Sequence, residues 1–144
     1  MTRPKYFTLR EAEAVLPEVE RSIRAALALK QFYVEAEQVL QEEASRIQMS
    51  GGAMVNSARL AAEKSRRDTC AVQLRAAIEQ IQSHGCEVKD LDIGLIDFRT
   101  FYRGQEVYLC WKLGEQGITW WHGLEEGFRG RRPVDEDFLA NHSA

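Results

Sequence analysis

Two long stretches of this chain are free of glycine and, past their first residue, of proline. They cover residues 17–48 and 53–84, and Ser50-Gly51-Gly52 stands between them. In the first stretch apolar residues recur at three-and-four spacing: Val19, Ile23, Leu27, Tyr33 with Val34, Leu40, Ala44 and Ile47. Glu, Gln, Arg and Lys fill most of the gaps. That period draws one apolar stripe along a helix, about 45 Å long at ~1.5 Å per residue. The second stretch is polar and Ala-rich early, as in Glu63-Lys64-Ser65-Arg66-Arg67-Asp68. Its apolar seam is clear only later, at Cys70, Leu74, Ala77, Ile78 and Ile81. Gly85 then supplies a C-terminal stop, because glycine accepts the left-handed conformation that closes a helix.

Matched helices with a short glycine-rich link predict an antiparallel hairpin. Helices of this length without internal caps usually pack as coiled coils. The polar start of the second one predicts a tip near Gly51 that either frays or docks on a second subunit. Upstream, Thr8-Leu9-Arg10-Glu11 reads as a capping box, the Thr8 hydroxyl and the Glu11 carboxylate each accepting from the other residue's amide. Pro17 lacks an amide hydrogen and disfavours helical geometry before it. A short N-terminal helix over residues 9–16 and a fresh start at Pro17 are therefore expected.

After Gly85 the period changes. Leu95-Ile96-Asp97-Phe98, Val107-Tyr108-Leu109-Cys110-Trp111 and Ile118-Thr119-Trp120-Trp121-His122 are short, apolar and rich in β-branched or aromatic residues, which predicts strands. Arg103-Gly104-Gln105 turns the first hairpin, and Cys86-Glu87-Val88 adds a short edge. Such a small sheet cannot bury an apolar face alone, so it must lie against the helices. The expected class is α+β: a long antiparallel helical hairpin, with a short N-terminal helix, packed against a three- or four-stranded antiparallel sheet. The boundaries are residues 8–84 for the hairpin, 86–134 for the sheet and a basic loop, and 135–144 for a loose tail, all within one domain.

Net charge narrows the partners. The 144 residues carry a formal charge of -3, which gives no general attraction to nucleic acid or an anionic membrane. No apolar run approaches a membrane span, and the first five residues lead into no signal-peptide core. Cys70, Cys86 and Cys110 are an odd set without C-x-x-C spacing, so reduced buried thiols are expected. Together these predict a cytoplasmic protein.

Residues 7–12 with Leu16-Pro17-Glu18, residues 88–98, residues 106–115, and Trp121-His122 leading into Gly127-Phe128-Arg129-Gly130-Arg131-Arg132-Pro133 resemble the bacterial family labelled Domain of Unknown Function 2203. The resemblance spans nearly the whole chain. It implies a single-domain bacterial protein, brings no activity or cofactor with it, and directs attention to the polar residues inside those segments.

Four groups of residues carry chemistry. Asp90, Asp92 and Asp97 are oxygen donors suited to magnesium, calcium or manganese; otherwise Asp90 and Asp92 cap turns and Asp97 pairs with an arginine across the sheet. His122 and Glu125 share a face if they lie on a helical turn, which allows joint metal ligation or an acid/base pair; otherwise His122 ends a strand with its ring on the backbone. Arg129 and Arg131, in a glycine-flanked loop, suit a small anion, or else pair with the neighbouring Glu125, Glu126, Asp135 and Glu136. Trp120 and Trp121 must face opposite sides of a regular strand, so one, Trp121 among the candidates, meets either core or ligand. No nucleophile elbow, phosphate loop or dinucleotide fingerprint is present. The leading expectation is a non-enzymatic binding or assembly module that forms a homo-oligomer through its long helices. Its rival is a ligand, anion or metal domain with a site near His122, Glu125 and Arg129.

Overall fold

The computed structural model describes residues 3–49, 51 and 57–144. Its elements follow as α1 (Leu9–Met49), α2 (Ser57–Ser83), β1 (Glu87–Asp90), β2 (Leu95–Tyr102), β3 (Gln105–Lys112) and β4 (Trp120–Gly123). A 3-10 turn (Phe128–Gly130), β5 (Arg132–Pro133), α3 (Glu136–Asn141) and β6 (His142–Ser143) complete the chain. The class is α+β, as expected. The chain divides into two compact units, Met1–Ile23 with Ile78–Ala144, and Arg24–Ala77. Gly52 and residues 53–56, where the second helix was expected to begin, lie outside the described residues.

The expected break at Pro17 does not occur: α1 is continuous over 41 residues with Pro17 inside it. The capping box forms as read, with the Glu11 amide donating to Thr8 Oγ1 at 3.1 Å and the Thr8 amide to Glu11 Oε1 at 3.4 Å. A proline inside a helix costs ~3 kcal/mol. Burial outweighs it, because Leu16, Val19 and Ile23 lie in the core on either side, and each such side chain contributes roughly 1.5–3 kcal/mol.

In the first unit the sheet is antiparallel throughout, in the order β1-β2-β3-β4-β5, with β6 pairing β2. Six strands replace the three or four expected, because β5 and β6 are two-residue pairings with no signature of their own. The β2–β3 hairpin turns through Arg103 and Gly104, both at positive φ (50° and 77°), with Tyr102 opposite Gln105. Two left-handed residues in sequence define the tight turn whose twist matches that of the strands. The turn after β1 needs Gly94 for a second reason: a Cβ there would stand 2.5 Å from the Leu113 Cβ.

Strand alternation sorts the sheet into two faces. One carries Ile96, Phe98, Thr100, Val107, Leu109, Trp111 and Trp121, all buried. It meets the start of α1: Phe7 packs edge-on against Phe98 at 5.2 Å, and Glu13 accepts from the Ile118 amide at 3.3 Å. The other face carries Asp97, Arg99, Cys110, Tyr108, His122 and Trp120.

The tail after residue 134 is docked rather than loose. Phe138 of α3 is 1% exposed. Its ring lies within 5.2 Å of Tyr102 and 5.1 Å of Trp121.

In the second unit the two helices run antiparallel, as the ion pairs Glu35–Arg66 (3.4 Å), Glu37–Arg67 (3.2 Å) and Glu43–Arg59 (3.2 Å) require. Among its described residues only Ala26, Ala36, Glu43 and Cys70 are buried. Leu74, placed on the apolar seam by its spacing, is half-buried.

Candidate functional site

The structure gathers Asp97, Cys110 and His122 on the polar face of the sheet. The register explains how: Asp97 of β2 lies directly opposite Cys110 of β3, and His122 of β4 lies opposite Tyr108, the neighbour of Cys110 on the same face. One donor atom from each of the three lies within 4.8 Å of the others. All three are buried, at 1%, 0% and 3% exposure, so water contributes little to holding any charge they carry.

Hydrogen bonding fixes the imidazole at both ends. His122 Nδ1 donates to the Gly123 carbonyl at 2.8 Å, and Nε2 lies 3.1 and 3.0 Å from the two carboxylate oxygens of Asp97. With an acceptor at each nitrogen, the ring is held best when doubly protonated. Burial alone pulls the His122 pKa down, but the hydrogen bonds to Asp97 and Gly123 and the carboxylate's charge outweigh it. The pKa therefore lies above the ordinary imidazole value.

Cys110 behaves oppositely. Burial first, and then the neighbouring Asp97 charge, push its thiol up to about 12. Burial likewise raises Cys86 to about 12. In the absence of a bound cation neither is a thiolate nucleophile at neutral pH. Iodoacetamide at about pH 8 is expected to leave Cys86 and Cys110 unmodified in the folded protein and to label both in denaturant. Mass spectrometry reads the difference, and rapid labelling of either thiol in the folded state would contradict this burial.

The flanks of the cluster are aromatic and cationic. Tyr108 packs against the His122 ring at 5.4 Å, and Lys89 and Arg99 lie over Tyr108 at 4.6 and 5.4 Å. Arg131 stacks on Trp120 and Phe128 at 5.2 and 4.8 Å and bonds the Cys110 carbonyl at 3.4 Å. Its carboxylate partner is Glu115, at 2.6 Å.

The other expected site residues lie apart from this cluster. Asp90 caps the turn after β1, its Oδ1 accepting from the Asp92 amide at 3.0 Å and the Ile93 amide at 3.4 Å. Asp97 pairs with a histidine rather than an arginine. His122 and Glu125 do not share a helical turn, since Glu125 is exposed beyond the strand end. It is Glu126 that folds back, accepting from the Gly123 amide at 2.9 Å and from Arg132 at 2.8 and 2.9 Å. Glu125 and Trp121 line an open cleft of about 630 Å³ with Glu106, Glu126 and Arg132. Arg129 is exposed on the 3-10 turn. Cys110 is the member that sequence reasoning did not place in the site.

These features define an α+β protein with a charged helical hairpin and an antiparallel sheet carrying a buried Asp–Cys–His cluster. The chain belongs to the family described as an uncharacterized conserved protein (DUF2203), whose pattern matches residues 5–134. All three cluster residues fall inside the matched span, while α3 and β6 follow it. No curated protein and no solved structure matches the chain.

Proposed function

We propose that this protein is a non-enzymatic binding and assembly module that self-associates through the hairpin of residues 24–77. One observation carries the reading: in this unit no large apolar side chain is buried among the described residues, whose buried positions are two alanines, a cysteine and a glutamate. Isolated helices draw most of their stability from a packed apolar face. Leu27, Leu40 and Leu74 are only half-buried in this unit, so a further surface would complete their burial. Phe32, Val34, Met49 and Val72 remain exposed at 48, 37, 87 and 64%.

Charge favours a second copy as that surface. Residues 35–43 of α1 include Glu35, Glu37, Glu42 and Glu43 and no cation, whereas residues 59–67 of α2 include Arg59, Lys64, Arg66 and Arg67 against the single Glu63. An acidic α1 and a basic α2 that pair within one chain also suit pairing between two chains, and a two-fold dimer needs such self-complementarity. Without a bound cation Cys110 is a buried protonated thiol that lacks a nucleophile's character, which fits the non-enzymatic half. Three free cysteines fit a reducing cytoplasm, and among the described residues no helix is long and apolar enough to cross a membrane.

Sedimentation velocity on the purified chain is expected to show a dimer or larger species at micromolar concentration. Phe32→Glu combined with Val72→Glu should weaken association about 100-fold, roughly 2.7 kcal/mol. A monomer that keeps full helicity at high micromolar concentration would remove the assembly reading.

A further inference from the structure

The buried cluster on the sheet has a property that assembly does not explain. Three donors of different chemistry, a carboxylate, a thiol and an imidazole, converge within 4.8 Å in a part of the molecule closed to water. We propose that Asp97, Cys110 and His122 bind one divalent first-row transition ion of the zinc class. The proposal stands independently of the assembly reading.

Geometry comes first. Zinc sits at about 2.0–2.3 Å from N, O and S ligands, so the ligands of one tetrahedral ion lie about 3–4 Å from each other. The His122 Nε2 to Asp97 separation is 3.0 Å and all three donor atoms fall within 4.8 Å. Closing on an ion therefore needs only small side-chain adjustments. The ring is already oriented, since Nδ1 donates to the Gly123 carbonyl at 2.8 Å. Metal-bound histidines commonly use their second nitrogen in this way, which fixes the tautomer and leaves Nε2 as the ligating lone pair.

Charge comes second. In the neutral ring that lone pair faces the Asp97 carboxylate, and the two repel. Something positive must stand between them, either a proton or a metal ion. Among the described residues no lysine or arginine forms an ion pair with Asp97; its side-chain partners are the His122 imidazole and the Cys110 thiol. On binding M²⁺, the Cys110 thiol proton and the proton held between His122 and Asp97 leave to solvent. Three protein bonds to the ion replace them, and a water brought in with the ion takes the fourth tetrahedral position. One carboxylate and one thiolate then balance the two positive charges, and the buried site becomes neutral, which removes the cost of an uncompensated interior charge. A monovalent ion leaves a net negative charge buried.

Donor type comes third. A sulfur and a nitrogen with one oxygen suit zinc or cobalt, whereas magnesium and calcium take oxygen ligands throughout. Asp90 and Asp92, the oxygen donors that composition suggested, are held in the turn after β1 and are not part of this cluster.

The test uses the untagged full chain produced in medium supplemented with cobalt or zinc, because the donors are sealed on folding. After desalting, about one cobalt per chain is expected, with a thiolate-to-cobalt charge-transfer band in the near ultraviolet that zinc abolishes. Cys110→Ala should lose the band and hold at least ~10-fold less cobalt, while Cys86→Ala keeps both. Should Cys110→Ala fail to fold, X-ray absorption at the zinc edge of the wild-type protein decides, with one sulfur among otherwise nitrogen and oxygen neighbours expected. Wild-type protein that retains no metal, a band that survives in folded Cys110→Ala, or a zinc shell without sulfur would each overturn the proposal.

Discussion

His122→Leu is expected to destabilise the metal-free protein by about 3–5 kcal/mol, the usual effect of removing one partner from a buried ion pair. The variant leaves the Asp97 carboxylate at 1% exposure without its imidazole partner. Leucine fills much of the ring's volume, so the loss reports the stranded charge more than a cavity. Replacing both partners, as Asp97→Leu with His122→Leu, should recover most of it, because two apolar groups of similar volume carry no desolvation debt. Urea titration of the wild type, both single variants and the double variant gives the coupling directly. The dependence on pH carries a sign. The His122 pKa is raised in the folded state, so the stabilisation from its charged form is fully present below the ordinary imidazole value and fades as pH rises through the raised one. The gap between wild type and His122→Leu should therefore be widest below the ordinary imidazole value and narrow as pH rises through the raised one. A single-variant loss under about 1 kcal/mol, or a double variant no better than the singles, would mean that the pair is not held as described.

The same residues show how far sequence reasoning reaches. The capping box, the two long helices and the three main strands were legible because each rests on local chemistry or on a period that the chain repeats. The break expected at Pro17 was a local inference that tertiary burial of Leu16, Val19 and Ile23 overrode. Cys110 lay within reach. A two-residue turn at Arg103-Gly104 pairs Tyr102 with Gln105, and counting outward places Asp97 opposite Cys110. Reading the turn as three residues, Arg103-Gly104-Gln105, left that register undefined. A one-residue slip moves every side chain to the opposite face. His122 was harder, since seven residues separate β3 from β4 and no short turn fixes their register. The choice of Glu126 over Glu125 depends on how the chain leaves β4 at Gly123, a tertiary detail without a local signal. Asp90 followed the plain turn-capping alternative.

Phe138→Ala is expected to cost about 3–5 kcal/mol, the range for a fully buried phenylalanine, although the residue lies in a segment whose sequence reads as a loose end. Only Phe138 and Leu139 among residues 135–144 are large and apolar, and a six-residue helix does not persist alone. The segment is held from outside itself. Asp135 caps α3 by accepting from the Phe138 amide at 2.8 Å, and Phe138 enters the ring cluster of Tyr102, Trp121 and His142. Beyond it, β6 pairs β2, and the Ser143 carbonyl accepts from Thr100 Oγ1 at 3.1 Å. His142 Nε2 accepts from the Leu9 amide at 3.2 Å, satisfying one of the free donors at the start of α1. Removing the Phe138 ring takes away the one buried side chain of α3, so the hydrogen bonds after it lose their anchor together with the ring contacts. Leu139→Ala, at a side chain 44% exposed, serves as the control and should stay within about 0.5 kcal/mol. Limited proteolysis should then cut Phe138→Ala within residues 135–144 under conditions that leave wild type and Leu139→Ala intact. A Phe138→Ala protein with near-native stability and an uncut tail would show that the ring cluster does not hold the segment.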